Sequence, residues 1–131
     1  MKKLEQRIHK YLKARHWHNL RPADVAKSIM IEGAELLELF QWENLTLEEV
    51  KRQPEKMEHI KKELADVLIY ALEMSILLGF DTEKIVRQKL AQATKKYPAK
   101  LMKQAKQEPG TESLYWRIKK AHRKRSKKKI I

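Results

Sequence analysis

Two pairs of acidic residues stand inside otherwise apolar helical stretches. Glu32 and Glu35 lie within IEGAELLE, and Glu63 and Asp66 lie within KELADV. The i, i+3 spacing of each pair puts its two carboxylates on one side of a helix. A carboxylate on a core-facing surface is costly unless a cation or a partner neutralises it. Two such helices facing each other predict four oxygen ligands around a shared metal site, with Mg²⁺ preferred and Mn²⁺ as a substitute.

The competing interpretation is two solvated helix faces whose acids pair with Lys27, Lys61 or Lys62. The apolar stretches around both pairs, IMIEGAELLELF and ELADVLIYALEMSILL, favour the metal site because such helices are buried on most sides. On the second stretch one polar face follows steps of 4, 3, 4 and 3, through His59, Glu63, Asp66, Tyr70 and Glu73.

The metal's identity follows from the ligands that are absent. The sequence contains no Glu-x-x-His, which a di-iron bundle requires, and no His-Glu-x-x-His zinc motif. A carboxylate-only site suits Mg²⁺, which commonly bridges to substrate phosphates. The chemistry expected from these residues is metal-assisted hydrolysis of a phosphoanhydride.

Aromatic and basic residues flank the acidic helices. Trp17 and Trp42 lie just outside the two ends of the Glu32 helix, and Tyr70 shares the face of Glu63 and Asp66. Aromatic rings stack on nucleobases, whereas lysines bind phosphates, and the candidates for that role are Lys27, Lys89, Lys95 and Lys96. Taken singly, each tryptophan also fits a core position and each lysine a solvated one.

Composition predicts an all-α protein. The 131 residues include three glycines, four prolines and no cysteine, which excludes a disulfide framework and a thiolate zinc site. The polar start MKKLEQRIHKYL does not resemble a secretory signal, and no apolar run approaches the roughly 20 residues of a membrane helix. We therefore expect a cytoplasmic protein with no membrane segment.

The order of the helices is predicted from hydrophobic periodicity and from the residues that typically begin or end a helix. We expect a first amphipathic helix around Ile8 and Leu12, a second from Pro22 to about Gln41, and a short third opened by a capping box at Thr46. The longest helix is expected from about Glu55 to Leu78, with Gly79 as its C-terminal stop. Its expected core residues are Leu64, Val67, Leu68, Ala71 and Leu72. A further helix precedes Tyr97-Pro98, and another short one follows.

Charge is distributed unevenly along the chain. The net charge is +13, but all seventeen acidic residues lie at or before Glu112, and residues 117–129 carry nine Lys or Arg. The stretch Glu108-Pro109-Gly110-Thr111 is typical of a linker, so we predict a helical domain over 1–108 and a basic helix or tail over 109–131. That tail is either a solvated end that packs Leu114, Tyr115 or Trp116 on the bundle, or a tether for nucleic acid.

Three motifs in order resemble a known family. They are RPADVAKSIMIEGAELLELFQW, KKELADVLIYALEMSILLGFD and KLAQATKKYP, and the resemblance covers roughly residues 15–98. They resemble the MazG-like all-α nucleotide pyrophosphohydrolases, and most closely the small single-domain members related to the dCTP pyrophosphatases. The resemblance implies a four- or five-helix bundle that is completed by oligomerisation as a homodimer or homotetramer.

The same resemblance implies a role for each candidate residue. Glu32, Glu35, Glu63 and Asp66 would bind Mg²⁺, and Glu35 or Glu38 would orient the attacking water. Trp17, His18, Trp42 and Tyr70 would line the base and sugar pocket, while Lys89 would approach the phosphates. The implied reaction converts a nucleoside triphosphate to its monophosphate and pyrophosphate.

The sequence departs from the family pattern at two positions. Ala93 replaces an asparagine that often lies five residues before the proline of Lys-Tyr-Pro, and Ile31 replaces an extra acid before Glu32. The four expected ligands are intact. We therefore expect a house-cleaning hydrolase of a pyrimidine or modified nucleotide. The alternative is a non-enzymatic helical adaptor or nucleic-acid-binding protein that acts through its basic tail.

Overall fold

The computed structural model describes residues 1–105 and 112–130, and within them it contains seven α-helices and no strand. The helices are α1 (Lys2–Ala14), α2 (Pro22–Glu38), α3 (Leu47–Lys51), α4 (Pro54–Leu77), α5 (Thr82–Lys96), α6 (Ala99–Gln104) and α7 (Leu114–Ile130). The all-α prediction is confirmed. The predicted linker at 108–111 lies outside the described residues, so the boundary between domain and tail stays a prediction.

Local sequence signals set most helix ends. The predicted capping box is present, because the Thr46 N–H donates to Glu49 Oε2 at 2.8 Å and the Glu49 N–H donates to Thr46 Oγ1 at 3.3 Å. Pro54 begins α4, where its missing N–H costs no helical hydrogen bond. The α2 helix ends at Glu38 rather than near Gln41, because residues beyond it form turns with i, i+3 bonds such as Phe40 N–H to Leu37 O at 2.9 Å.

The first compact unit, Met1–Glu83, is organised around α4. The α2 helix packs along α4 in the most extensive helix contact, and α1 and α3 also contact α4. Ile8 and Leu12 of α1 are buried against Leu72 of α4, and Ile76 packs beside them. This small core fixes α1 relative to α4, while the packing of α2 sets its acidic residues against those of α4.

Three of the five α4 residues that are expected in the core are exposed. They are Leu64, Leu68 and Ala71, whereas Leu72 is buried as expected. The reason is geometric, because the core that α1 forms with α4 contains Leu72 and Ile76, in the later turns of α4. Helix periodicity predicted the apolar stripe correctly but not the part of it that one chain buries.

Two helices end in the same hydrogen-bonded motif. At the end of α4, Gly79 has a φ of 68°, and the Phe80 N–H reaches back to Ser75 O at 2.9 Å. At the end of α1, His16 takes the same left-handed conformation with a φ of 56°, and the Trp17 N–H reaches back to Leu12 O at 2.9 Å. These are Schellman motifs, in which glycine is usual because a Cβ is disfavoured there. Gly79 was predicted to end its helix, but His16 was not.

The second compact unit, Lys84–Ile131, contains most of α5 together with α6 and α7. Tyr97, directly after α5, stacks on Tyr115 of α7 with ring centroids 5.1 Å apart. The Lys119 ammonium lies over the rings of both Tyr115 and Trp116, at 5.3 and 5.0 Å from their centroids. The basic segment is therefore a helix whose first turn is held by aromatic contacts.

We predict that His16→Gly stabilises the protein. A left-handed conformation costs a non-glycine residue about 1–2 kcal/mol. Glycine avoids this cost but loses more conformational entropy on folding, so the net gain in unfolding free energy should be about 0.5–1 kcal/mol. The measurement is the urea unfolding midpoint. His18→Gly is the matched control, since His18 does not have a positive φ, and it should give no gain. A lower midpoint for His16→Gly would contradict the assignment of strain to this residue.

Candidate metal centre and adjoining cavity

The packing of α2 on α4 brings three carboxylates together. One carboxylate oxygen from each of Glu32, Glu63 and Asp66 lies within 4.8 Å of the others. Around an octahedral Mg²⁺ with bonds near 2.0–2.1 Å, ligand oxygens lie about 3–4 Å apart. Small side-chain rotations would therefore bring these oxygens to one ion. The i, i+3 spacing on α4 and the facing helix α2 create this cluster, as the sequence pattern indicated.

Glu35 adjoins the cluster without being one of its three members. Its side chain is exposed and shares a hydrogen bond with Glu32, one turn earlier on α2. Glu38 is also exposed, at the last residue of α2, and the structure does not bring it into the three-carboxylate group.

The neighbouring negative charges disfavour ionisation of Glu32 in the cluster. Partial burial raises the pKa of the Glu32 carboxyl, and the hydrogen bond with Glu35 raises it further. The negative charges of Glu35, Asp66 and Glu63 act in the same direction. Like charges disfavour joint ionisation, and a divalent cation removes that penalty. The residues present thus fit a hard cation in both donor type and charge.

A cavity of about 730 Å³ opens beside the cluster. Asp66 belongs to its wall, together with Tyr70 and Glu73 from later turns of α4 and Tyr11 and Trp17 from the α1 region. Tyr70 is half-buried, and burial raises the pKa of its hydroxyl, with the charges of Glu32, Glu73 and Asp66 adding to the rise. The cavity is therefore aromatic-lined and continuous with the acidic cluster through Asp66.

The end of α1 positions the aromatic wall. Trp17 follows the left-handed His16, so the Schellman motif fixes its backbone, and its ring meets Tyr11 edge-on with centroids 6.1 Å apart. The Arg15 guanidinium lies over the Tyr11 ring, and its Cζ is 3.8 Å from the ring centroid. A planar ring entering this cavity would meet an ordered aromatic surface.

The other predicted binding residues are not among those lining this cavity. Lys27 is 74% exposed at its side chain and pairs with Asp24 at 3.4 Å. His18 is exposed in the turn after Trp17, and Trp42 is 87% exposed in the turn after α2. Lys89 is exposed on α5, in the second compact unit. Their roles in binding a substrate stay predictions.

Sequence reasoning missed two wall residues as site candidates. Tyr11 is not among the candidates that the sequence singles out, and Glu73 is there only the end of a polar face. The signal for Glu73 was present in that face, because the steps of four and three from Asp66 through Tyr70 put it on the same side of α4. Tyr11 had no comparable signal, since its position in the wall depends on the packing of α1.

None of the described helices combines the length and the apolar character that a membrane span requires.

Comparisons with known proteins are consistent with this geometry. No curated protein matches the chain. A solved structure does: the crystal structure of a pyrophosphatase from Archaeoglobus fulgidus DSM 4304. It is 34% identical, with a TM-score of 0.65, and the match covers 75% of this chain and 92% of that one.

The family model confirms the resemblance shown by the sequence motifs. The model of the MazG-like family matches residues 27–110, well over half of the chain. The matched region contains the whole acidic cluster and the wall residues that α4 contributes to the cavity. The chain therefore belongs to the MazG-like family.

Proposed function

We propose that this protein is a Mg²⁺-dependent nucleoside triphosphate pyrophosphohydrolase, which releases the monophosphate and pyrophosphate. The observation that carries the proposal is the meeting of Glu32, Glu63 and Asp66 beside an aromatic cavity. Family membership and the likeness to the Archaeoglobus pyrophosphatase support an enzyme acting on nucleotide pyrophosphate bonds.

Each acidic residue has a distinct part in the proposed reaction. Glu32, Glu63 and Asp66 would hold the metal, with Glu35 as the fourth predicted ligand. A bound divalent cation supplies charge neutralisation at the phosphates and makes water a better nucleophile. Glu35, which is exposed one turn after Glu32 on α2, would orient the attacking water. Glu38 is the alternative for that role.

The substrate would lie across the cavity. Trp17 and Tyr70 would contact the base and sugar, with His18 and Trp42 as further contacts. Lys27 and Lys89 would approach the phosphates. The proposed substrate is a pyrimidine deoxynucleotide or a modified nucleotide, and the proposed role is house-cleaning of the nucleotide pool in the cytoplasm. Mn²⁺ is the expected substitute metal because it also prefers oxygen ligands.

We further propose that the protein works as a homodimer or homotetramer. The support is the exposed apolar surface of the first unit, where α2 presents Met30, Ile31 and Leu37 and α4 presents Leu64 and Leu68. Large exposed apolar patches on a soluble domain mark interaction sites, and these two helices expose five large apolar side chains. A second copy of the chain has the matching surface in an isologous pair.

We predict that Mg²⁺ stabilises the protein and that the effect grows with pH. Because the folded-state pKa of Glu32 is raised, the metal-free protein keeps a proton that the unfolded chain releases, and it loses stability as pH rises through that pKa. Mg²⁺ binds the deprotonated carboxylates and stabilises by mass action. The melting temperature with and without Mg²⁺ should thus differ more at pH 7.5 than at pH 5. If Mg²⁺ raised the melting temperature equally at both pH values, the result would contradict a metal site that contains Glu32.

We predict that Asp66→Asn abolishes turnover while the fold persists. Removing a ligand should cost at least about a hundredfold in rate, since even residues behind a ligand are worth ten- to a hundredfold. The removal of one crowded negative charge should leave the metal-free melting temperature unchanged or higher. The measurement is pyrophosphate release from a panel of nucleotides with Mg²⁺ and with EDTA. Glu48→Gln, an exposed acid on α3, is the control and should behave as wild type.

A second candidate function rests on α7. This helix carries nine Lys or Arg between residues 117 and 129 and no acidic residue in that range. Such a cationic helix gains affinity for nucleic acid through counterion release. We propose that α7 tethers the protein to nucleic acid, either beside the enzyme activity or, in the adaptor alternative, in place of it.

We predict that replacing Arg123, Lys124 and Arg125 with glutamine weakens DNA binding at low salt. The salt dependence should also become shallower, by roughly 0.7–0.9 in logarithmic slope for each phosphate that the variant no longer neutralises. These substitutions leave the stack of Tyr97 on Tyr115 in place. The charge-matched control replaces Lys2, Lys3 and Lys10 of α1 and should bind as wild type. Equal DNA binding by the two triple variants would contradict the hypothesis that α7 is a nucleic-acid tether.

A further inference from the structure

Glu73 is a buried acid that the fold does not use. It is 3% exposed in α4, and its Oε1 has no hydrogen-bond partner. The neighbouring buried polar residue, Ser75, differs because its hydroxyl shares a 2.6 Å hydrogen bond with Thr82. An unpaired buried polar atom destabilises a protein, so an apolar side chain would serve the fold better.

The position of Glu73 relative to the acidic cluster suggests a ligand. Asp66, Tyr70 and Glu73 follow one side of α4, and all three line the same cavity. The seven residues from Asp66 to Glu73 rise about 10.5 Å along the helix. That span is comparable with the distance from the α-phosphate of a nucleotide to the far edge of its base. A phosphate near Asp66 would thus put a base edge in reach of Glu73.

The surroundings of Glu73 favour a planar, polar-edged group. Tyr11, Trp17 and Tyr70 supply aromatic walls, while Ile8 and Leu12 close the cavity with apolar surface. In such a setting, one unpaired acceptor atom favours a ligand that carries a hydrogen-bond donor. Any other ligand would exclude water from the acceptor without replacing the lost hydrogen bond. Burial also raises the pKa of the Glu73 carboxyl, as expected for a carboxyl with no cation beside it.

We propose that Glu73 is a specificity-determining residue that accepts a hydrogen bond from an exocyclic amino group on the substrate base. The inference rests on the proposed function and narrows its substrate class to nucleotides with an amino-bearing base. A base with a carbonyl at that place would set its oxygen against the carboxyl oxygen of Glu73. The amino form of a base is therefore favoured over the oxo form.

The test compares substrates that differ in this group and in the hydrogen on the adjacent ring nitrogen. With Mg²⁺ present, kcat/KM is measured for dCTP against dUTP and for dATP against dITP. For at least one of the two pairs, wild type should favour the amino member by about tenfold or more, the expected effect of an unpaired buried acceptor. Glu73→Leu should lose that preference and melt at a higher temperature, and Glu73→Gln, whose amide can accept from an amino group or donate to an oxo group, should show a smaller preference than wild type. Equal use of the members of both pairs by wild type would overturn the proposal, as would a Glu73→Leu variant with unchanged ratios.

Two further measurements separate this proposal from the proposed function. Glu5→Leu is the matched control, because Glu5 Oε1 is also buried and unpaired but Glu5 is not among the residues lining this cavity. It should leave the substrate ratios unchanged. If no nucleotide is hydrolysed, the proposed function fails, and calorimetric binding of dCMP against dUMP and of dAMP against dIMP decides the role of Glu73. Tighter binding of an amino form by wild type but not by Glu73→Leu supports the proposal, and equal binding within both pairs overturns it.

Discussion

The crowding of carboxylates between α2 and α4 is the interaction on which the site depends. Glu32, Glu63 and Asp66 meet because α2 packs along α4. The neighbouring negative charges raise the pKa of Glu32, in addition to the effect of its burial. Helix packing thus holds like charges close together, and a divalent cation would remove the repulsion between them.

The small core beside this cluster provides the second part of the site. Ile8 and Leu12 anchor α1 to Leu72, and this contact creates the wall that Tyr11 and Trp17 complete. The end of α1 is held by backbone hydrogen bonds to Leu12 and Lys13 rather than by a favourable residue at position 16. The aromatic wall therefore depends on local helix termination as much as on packing. Stability and recognition share the same few residues of α1.

Much of this arrangement could be predicted from the sequence, for reasons that are local. The i, i+3 pairs, the Thr46 capping box and the Gly79 stop are all set by residues within one or two helical turns. What could not be predicted depends on which faces meet. Glu73 continues the polar face of Asp66 and Tyr70, and only the placement of α1 shows that this end of the face is buried. Likewise, Leu64 and Leu68 have core-like spacing, yet one chain leaves them exposed.

The arrangement along α4 also has a consequence for divergence among related chains. Asp66 belongs to the carboxylate cluster, whereas Glu73 lies two turns further along and outside that cluster. A substitution at position 73 therefore changes the far end of the cavity without removing a carboxylate from the cluster. If position 73 selects the base, as we propose, a lineage on this fold can keep one hydrolytic chemistry and move among nucleotides by single changes at one buried position. Selectivity can then change while the carboxylates that α2 and α4 contribute stay the same.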